Sequence, residues 1–121
     1  MAYQVFVKSR CKSPTALHIS GIVKNHLNQR GAASGELEVE LISKSKIHEL
    51  NLKHRKKDYP TDVLSFPTAE FPEKVKSYGT LFLSCDIIKL NAKTDGKSFI
   101  EEFDFILKHG IDHLLGIHHK E

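Results

Sequence analysis

The sequence predicts an α/β (α+β) fold, in which a small mixed sheet of about four strands is covered by helices. Segments with alternating apolar and polar residues, typical of strands, are interspersed with segments whose apolar residues recur every three or four positions, typical of helices. The predicted order is strand, helix, strand, helix, strand, strand, helix, helix. Histidines gather on the last helix and in the loop after it, which places a candidate metal site there. We expect one domain over residues 1–121.

The first predicted strand and helix occupy the N-terminal part of the chain. Residues 3–8 (YQVFVK) follow the two-residue period of a strand. Ser13-Pro14 predicts an N-cap followed by proline at the first helical position, and the helix should run to Gly31. Its inward-facing residues are predicted to be Leu17, Ile19, Ile22, Val23 and Leu27.

A second strand and a short helix are predicted next. Residues 36–41 (ELEVEL) predict a strand with one buried face and one wet face, and the wet face carries three glutamates. We interpret these glutamates as solvating charges on an edge-like strand rather than as metal ligands or acid–base groups. The helix that follows is capped by Ser43 or Ser45 and ends near His54 or Arg55.

The second half of the chain predicts two strands and two helices. Val63–Phe66, bounded by prolines, forms a short buried strand, and Gly79–Ser84 forms another. The next helix is capped by Ser84 and breaks at Asp95-Gly96. A capping box, Ser98 with Glu101, then begins the final helix. The buried stripe of that helix is predicted to comprise Phe99, Phe103, Ile106, Gly110 and Leu114.

The composition is that of an ordinary globular protein, with 40% apolar and 27% charged residues. Cys11 and Cys85 are far apart and form no CxxC pair, so the sequence predicts neither a disulfide framework nor a thiolate metal site. No apolar stretch reaches the length of a membrane span, and we expect a cytoplasmic protein. The net charge of +3 permits a polyanionic partner without requiring one.

The histidines near the end of the sequence form the strongest functional signal. His109 and His113 are four residues apart, so on a helix they project from one face, one turn apart. Gly116 is predicted to end this helix and to let the chain bring His119 towards the same point. Three imidazoles that converge in this way make a divalent-metal site with an open position, the usual layout of a catalytic zinc. The competing interpretation is a set of ordinary structural histidines, but four of the eight histidines lie within these eleven residues.

A basic cluster at residues 53–57 (KHRKK), which contains Arg55, Lys56 and Lys57, stands before a predicted strand, where α/β folds commonly place ligand sites. A phosphate-binding role competes here with simple solvation. Arg55 is the candidate catalytic cation because a guanidinium can neutralise the charge that builds on phosphate oxygens, and the two lysines are candidates to bind the substrate backbone. Peptide hydrolysis is less favoured, because Gly110 stands where HExxH proteases carry their glutamate base.

Three segments together resemble the YbeY family of bacterial metal-dependent endoribonucleases. They are HGxxHLxGxxH at His109 to His119, RKKDxPTDVLSFP at Arg55 to Pro67, and LFLSxD at Leu81 to Asp86. The resemblance implies a mixed sheet with helices, one zinc ion held by His109, His113 and His119, and a functionally important Arg55. It also implies a hydrolase that cuts single-stranded RNA and acts with the ribosome, in maturation of the small-subunit ribosomal RNA at the 16S rRNA 3′ end and in ribosome quality control. Three imidazoles also suit divalent ions other than zinc.

Departures from the family's usual pattern include two positions beside the predicted ligands. Asp112 stands where the family usually has leucine, and His118 stands where it usually has aspartate. Asp112 lies about 60° around the helix from His109, and we expect it to solvate the outer face rather than to supply a carboxylate to the site. His118 is a possible fourth ligand that would close the site. The alternative function is therefore a ribosome-associated RNA-binding protein whose zinc site is structural or vestigial.

Overall fold

The computed structural model of the protein describes residues 2–67 and 76–117, which form four strands and four helices. In chain order these are β1 (Tyr3–Lys8), α1 (Ala16–Gln29), β2 (Gly35–Leu41), α2 (Lys44–Arg55), β3 (Val63–Pro67), β4 (Lys76–Leu83), α3 (Cys85–Asp95) and α4 (Phe99–Leu114). The order of strands and helices is the one predicted from the sequence.

The strands form one mixed sheet in the order β1-β2-β4-β3, which confirms the predicted fold class. β1 is parallel to β2, β2 is parallel to β4, and β3 is antiparallel to β4. β2 therefore lies inside the sheet, and the prediction that it is edge-like was wrong. Its glutamates still meet water, because Leu37, Val39 and Leu41 take the face that packs into the core and Glu38 lies exposed on the opposite face.

The core lies between the sheet and the two long helices, α1 and α4. Buried side chains of α1 and α4 belong to one cluster with those of β2 and β4; the helical members include Ile19, Val23, Leu27, Phe103, Leu107 and Ile111. Each such side chain contributes roughly 1.5–3 kcal/mol relative to an exposed position.

Within residues 2–67 and 76–117, no helix is both long and apolar enough to cross a membrane.

The start of α1 differs from the prediction. Thr15, rather than Ser13, is the N-cap, and its hydroxyl accepts a hydrogen bond of 3.1 Å from the backbone N–H of His18. Pro14 therefore precedes the cap instead of occupying the first helical position. Leu17 falls in the first turn on the side away from the sheet, and it is 84% exposed rather than buried.

The other helix boundaries were predicted from local signals. Ser43 and Ser84 cap α2 and α3, and Ser98 forms a capping box with Glu101 at the start of α4. α3 ends at Asp95 because Gly96 takes the left-handed conformation, with φ of +67°, which glycine adopts with little strain.

α4 packs tightly on the sheet at Gly110. A Cβ at this position would lie 3.1 Å from Cδ2 of Leu81 and 3.2 Å from Cγ2 of Val63, closer than side chains normally pack. The Ser65 hydroxyl donates a hydrogen bond of 3.5 Å to the Gly110 carbonyl, which joins β3 to the same helical turn. The absence of a side chain at Gly110 therefore sets the distance between α4 and the β3–β4 pair.

We expect Gly110→Val to reduce the free energy of unfolding by about 1–3 kcal/mol, because the added methyl groups must displace Leu81 and Val63. Urea unfolding followed by circular dichroism measures this loss. Gly21→Val is the matched control, because a Cβ at Gly21, also in a helix, would meet no atom within 4 Å. The control should change stability by less than about 0.5 kcal/mol. Equal losses in the two variants would contradict close packing at Gly110.

Candidate active site

Three aromatic rings on successive turns of α4 form a stripe along one side of the helix. The ring centroids of His109 and His113 are 4.6 Å apart. The Phe105 ring, one turn earlier, stacks near His109 with centroids 6.3 Å apart and an interplanar angle of 21°. His109 is half-buried and His113 is exposed, so the pair lies at the border between core and solvent. The predicted projection of both imidazoles from one face of a helix is present in the structure.

This stripe forms one wall of an open cleft with a volume of about 1050 Å³. The other walls come from the end of α1, the end of α2, and β3 with the loop before it. The lining residues are His26, Arg30, His54, Arg55, Thr61, Asp62, Val63, Leu64, Ser65, Phe66, Phe105, Ile106, Lys108, His109, Gly110, Asp112 and His113. The cleft thus contains Arg55 together with two of the three predicted metal ligands.

Arg55 reaches the cleft because it is the last residue of α2. The loop after it is held against the helix by Asn51, whose side-chain amide donates a hydrogen bond of 2.8 Å to the carbonyl of Tyr59. Lys56 caps α2 in the left-handed conformation, with φ of +57°, and Lys57 follows it. Both lysines are exposed and neighbour Arg55, but neither is part of the cleft wall. Their role in substrate binding stays a prediction.

The loop before β3 is tied to the start of α3 by Asp62. Its carbonyl accepts a hydrogen bond of 3.0 Å from the backbone N–H of Ser84. Its carboxylate accepts weak hydrogen bonds from the Thr61 hydroxyl at 3.3 Å and from the Asn91 amide at 3.5 Å. These contacts join Asp62 of the PTD segment, which lines the cleft, to Ser84 of the LFLS segment and to Asn91 of α3.

Asp112 does not solvate the outer face of α4, contrary to the prediction. It is 2% exposed, and its Oδ1 lies 2.7 Å from Nε2 of His26. Arg30 donates two further hydrogen bonds to the same carboxylate, from Nε at 2.9 Å and from Nη2 at 2.8 Å. The hydrogen bonds and charge of Asp112 raise the pKa of Arg30 above its ordinary value. The Asp112 side chain therefore joins α4 to the end of α1 beside the histidine pair.

The sequence contained no signal for these two partners. His26 and Arg30 lie 86 and 82 residues before Asp112, so no local spacing relates them. The helical angle of Asp112 gives the direction of its side chain, but the residues in that direction depend on how α1 packs beside α4. His54, Asp62, Ser65 and Lys108, which also line the cleft, were likewise not singled out.

Two of the three predicted metal ligands lie among the described residues. His109 and His113 provide two imidazoles on adjacent turns, a donor set that suits zinc and related divalent ions. His119 and His118 lie outside the described residues. Within residues 2–67 and 76–117, no group of three or more histidine, cysteine, aspartate or glutamate side chains is placed to hold a metal ion. The two imidazoles are a donor pair that suits a divalent metal ion, and the third predicted ligand, His119, is not among the described residues.

The mixed sheet, with a histidine pair and an arginine sharing one cleft, defines an α/β protein with a candidate metallohydrolase site. A family model described as Endoribonuclease YbeY matches residues 8–121, and the chain belongs to this family. The resemblance seen in the three sequence segments is thereby confirmed.

Relatives in the same family include proteins named Endoribonuclease YbeY from Aquifex aeolicus and Carboxydothermus hydrogenoformans. The first is 41% identical over 95 residues, which cover 78% of this chain and 63% of the relative. The second is 39% identical over 103 residues, which cover 85% of this chain and 71% of the relative. A third, from Anaeromyxobacter dehalogenans, is 40% identical over 90 residues, which cover 74% of this chain and 47% of the relative. The chain thus spans between about half and about 70% of the length of these relatives.

The fold also resembles the solution structure of TM1509 from Thermotoga maritima. The TM-score is 0.65 at 27% sequence identity, and the alignment covers 98% of this chain and 75% of that protein. The four-stranded mixed sheet with its helices therefore agrees with an experimentally determined relative.

We expect Asp112→Ala to lower the free energy of unfolding by about 1–3 kcal/mol, because it leaves Nε2 of the buried His26 without its partner. Denaturant unfolding measures the loss. Asp104→Ala is the matched control: Asp104 also pairs with a histidine of α1, His18, at 2.7 Å, but the two side chains are 22% and 34% exposed. The control should lose less than about 1 kcal/mol. Similar losses in both variants would contradict an anchoring role of Asp112.

Proposed function

We propose that this chain is a metal-dependent endoribonuclease that cuts single-stranded RNA. The observation that supports this most directly is the cleft shared by the His109–His113 pair and Arg55, in a member of the YbeY family. The biological substrate that we propose is small-subunit ribosomal RNA, with roles in maturation of its 3′ end and in ribosome quality control in the cytoplasm. The relatives named as endoribonucleases support RNA as the substrate class.

We propose that His109, His113 and His119 hold one divalent metal ion, with zinc as the first candidate. Neutral imidazoles leave the full positive charge on such an ion, because they bring no negative charge of their own. When bound, the ion would supply Lewis-acid chemistry, polarising a phosphate oxygen of the substrate. The position of the pair at the border of core and solvent supports this role, because it keeps the imidazoles fixed by α4 and accessible from the cleft.

The charges of the cleft suit a phosphodiester better than a peptide. Arg55, Arg30 and Lys108 all line it, and a guanidinium can form two parallel hydrogen bonds to phosphate oxygens. We propose that Arg55 neutralises the charge that builds on the scissile phosphate, and that Lys56 and Lys57 bind the backbone of the RNA just outside the cleft. The position after His109 is Gly110, which packs against the sheet and offers no carboxylate for the HExxH type of peptide hydrolysis.

Phe105 provides the apolar surface that an unpaired base requires. It lines the cleft, is 56% exposed, and lies one turn before His109. Lys97 lies over its ring, with Nζ 4.9 Å from the centroid, so a cation accompanies the aromatic surface. Proteins that bind single strands combine such aromatic platforms with positive charge. We propose that a base next to the scissile phosphate stacks on Phe105.

The decisive experiment compares three variants with the wild type, each loaded with zinc and purified identically. Cleavage of an end-labelled single-stranded RNA is measured together with the zinc content of the protein. We expect His113→Ala to lose both zinc and cleavage, because it removes a ligand. Arg55→Ala should keep its zinc but cut about 10²–10³-fold more slowly, because it removes transition-state stabilisation alone.

His48→Ala is the matched control, since His48 pairs with Asp58 at 2.8 Å and does not line the cleft. It should retain both zinc and cleavage. Chelation should abolish cleavage by the wild type, and added zinc should restore it. Equal cleavage by the wild type and His113→Ala would identify a contaminating nuclease. RNA binding and zinc binding without cleavage would favour the ribosome-associated RNA-binding alternative with a structural zinc.

Phe105→Ala should weaken binding of a short fluorescent oligouridylate by about 1–3 kcal/mol, because one base loses its stacking surface. Fluorescence anisotropy titration measures the affinity. Phe6→Ala is the matched control: Phe6 is 49% exposed on β1 and is not part of the cleft. Its affinity should equal that of the wild type. Unchanged affinity of Phe105→Ala, or an equal loss in both variants, would exclude stacking on Phe105.

A further inference from the structure

Two cysteines that are 74 residues apart in the sequence meet in the structure. The Sγ atoms of Cys11 and Cys85 lie 3.5 Å apart, within hydrogen-bonding distance for thiols. Both are free cysteines; Cys11 is exposed and Cys85 is buried. Their separation in the sequence gives no sign of this contact, which arises because the loop after β1 lies beside the start of α3.

We infer that Cys11 and Cys85 are a redox-active pair that closes reversibly into an intramolecular disulfide when the protein meets a low-molecular-weight disulfide such as oxidised glutathione. The sulfur atoms are already neighbours in the reduced protein, so closing the bond requires only a short further approach. Cys11 lies between β1 and α1 in a loop, where the Ser9 hydroxyl accepts a hydrogen bond of 3.0 Å from the backbone N–H of Cys11. A loop can make this approach more easily than the first residue of a helix.

The reaction balances without any group beyond the proposed oxidant. The Cys11 thiolate attacks one sulfur of oxidised glutathione, forms a mixed disulfide and releases one glutathione thiolate. Cys85 then gives its proton to solvent, attacks Sγ of Cys11 and releases the second glutathione thiolate. The protein loses two electrons and two protons, and the two electrons reduce one glutathione disulfide to two glutathione molecules.

The different exposure of the two thiols fixes the order of these steps. Cys11 is reached from solvent, whereas Cys85 is 5% exposed at the start of α3. Burial, followed by the hydrogen bond to Cys11 and the charge of Cys11, raises the pKa of Cys85 to about 12. Formation of the mixed disulfide at Cys11 removes the hydrogen bond and the charge of Cys11 as causes of this raised pKa. Of the two remaining charges, Lys89 lowers the pKa of Cys85 and Asp86 raises it. Cys85 is therefore the resolving thiol rather than the first to react.

The disulfide would form next to a structural support of the cleft. Ser84, the residue before Cys85, donates its backbone N–H to the carbonyl of Asp62 in the cleft wall. Oxidation would thus link the loop after β1 to the segment that holds this wall. A reversible pair fits the reducing compartment expected from the sequence, where disulfides are usually transient. This inference does not depend on the proposed nuclease activity.

The test treats the full chain with oxidised glutathione, quenches it with acid, and determines intact mass and alkylated peptides by mass spectrometry. The wild type should lose both thiols, carry no glutathione and show a peptide pair linked through Cys11 and Cys85. Dithiothreitol should restore both thiols. Cys85→Ser should stop at one glutathione on Cys11, and Cys11→Ser should stay unmodified over the same time. Cys85→Ala serves as a second variant if the serine perturbs folding, which circular dichroism reports.

Three results would overturn the inference. The first is a wild type that keeps a stable glutathione adduct on Cys11 with Cys85 still free. The second is a Cys11→Ser variant that reacts as fast as Cys85→Ser, because Cys85 would then be accessible by itself. The third is a wild type that does not react, or that forms disulfides only between chains.

Discussion

The close packing of α4 on the β3–β4 pair is the constraint on which the rest of this molecule depends. At Gly110 the helix lies so near the sheet that an added Cβ would be 3.1 Å from Cδ2 of Leu81 and 3.2 Å from Cγ2 of Val63, which would have to shift to admit it. Because His109 and His113 lie on either side of this contact in the chain, the same approach brings their rings to the cleft that Arg55 enters from α2. Close packing at Gly110 and the position of the histidine pair are therefore coupled.

Much of this arrangement could be predicted from the sequence, because its signals are local. The hydroxyls of Ser43, Ser84 and Ser98 mark helix starts, and the spacing of His109 and His113 places both rings on one face. Features set by tertiary packing were not predictable in this way. The buried state of Asp112 depends on side chains more than 80 residues earlier in the chain, and the interior position of β2 depends on β4, which the chain reaches only after β3. Leu17 was wrongly predicted to face inward because the helix is capped by Thr15 rather than by Ser13.

The charged side chains around the cleft form two sets: the ion pairs made by Asp112, and the cations that other elements contribute to the cleft wall. Asp112 engages both His26 and Arg30, so one carboxylate offsets positive charge at the end of α1 and also fastens that end to α4. Arg55 and Lys108 stand on other elements that line the cleft. An anionic polymer would meet these two cations beside His109 and His113. The contacts of Asp112 with His26 and Arg30 meanwhile hold α4, which carries this histidine pair, against α1.

The strand order affects how the chain can fold while it is being synthesised on the ribosome. Among residues 2–67 and 76–117, β4 is the last strand in chain order, yet it lies between β2 and β3. Neither of those strands therefore has its full set of partners until residue 83 has emerged. The apolar side chains of α4 that complete the core follow later still. A nascent chain must therefore carry unpaired strand edges and uncovered apolar surface until α4 has emerged, the state in which chains are most prone to aggregate or to need a chaperone. Since α4 also carries His109 and His113, the cleft acquires this histidine pair only when α4 packs onto the sheet.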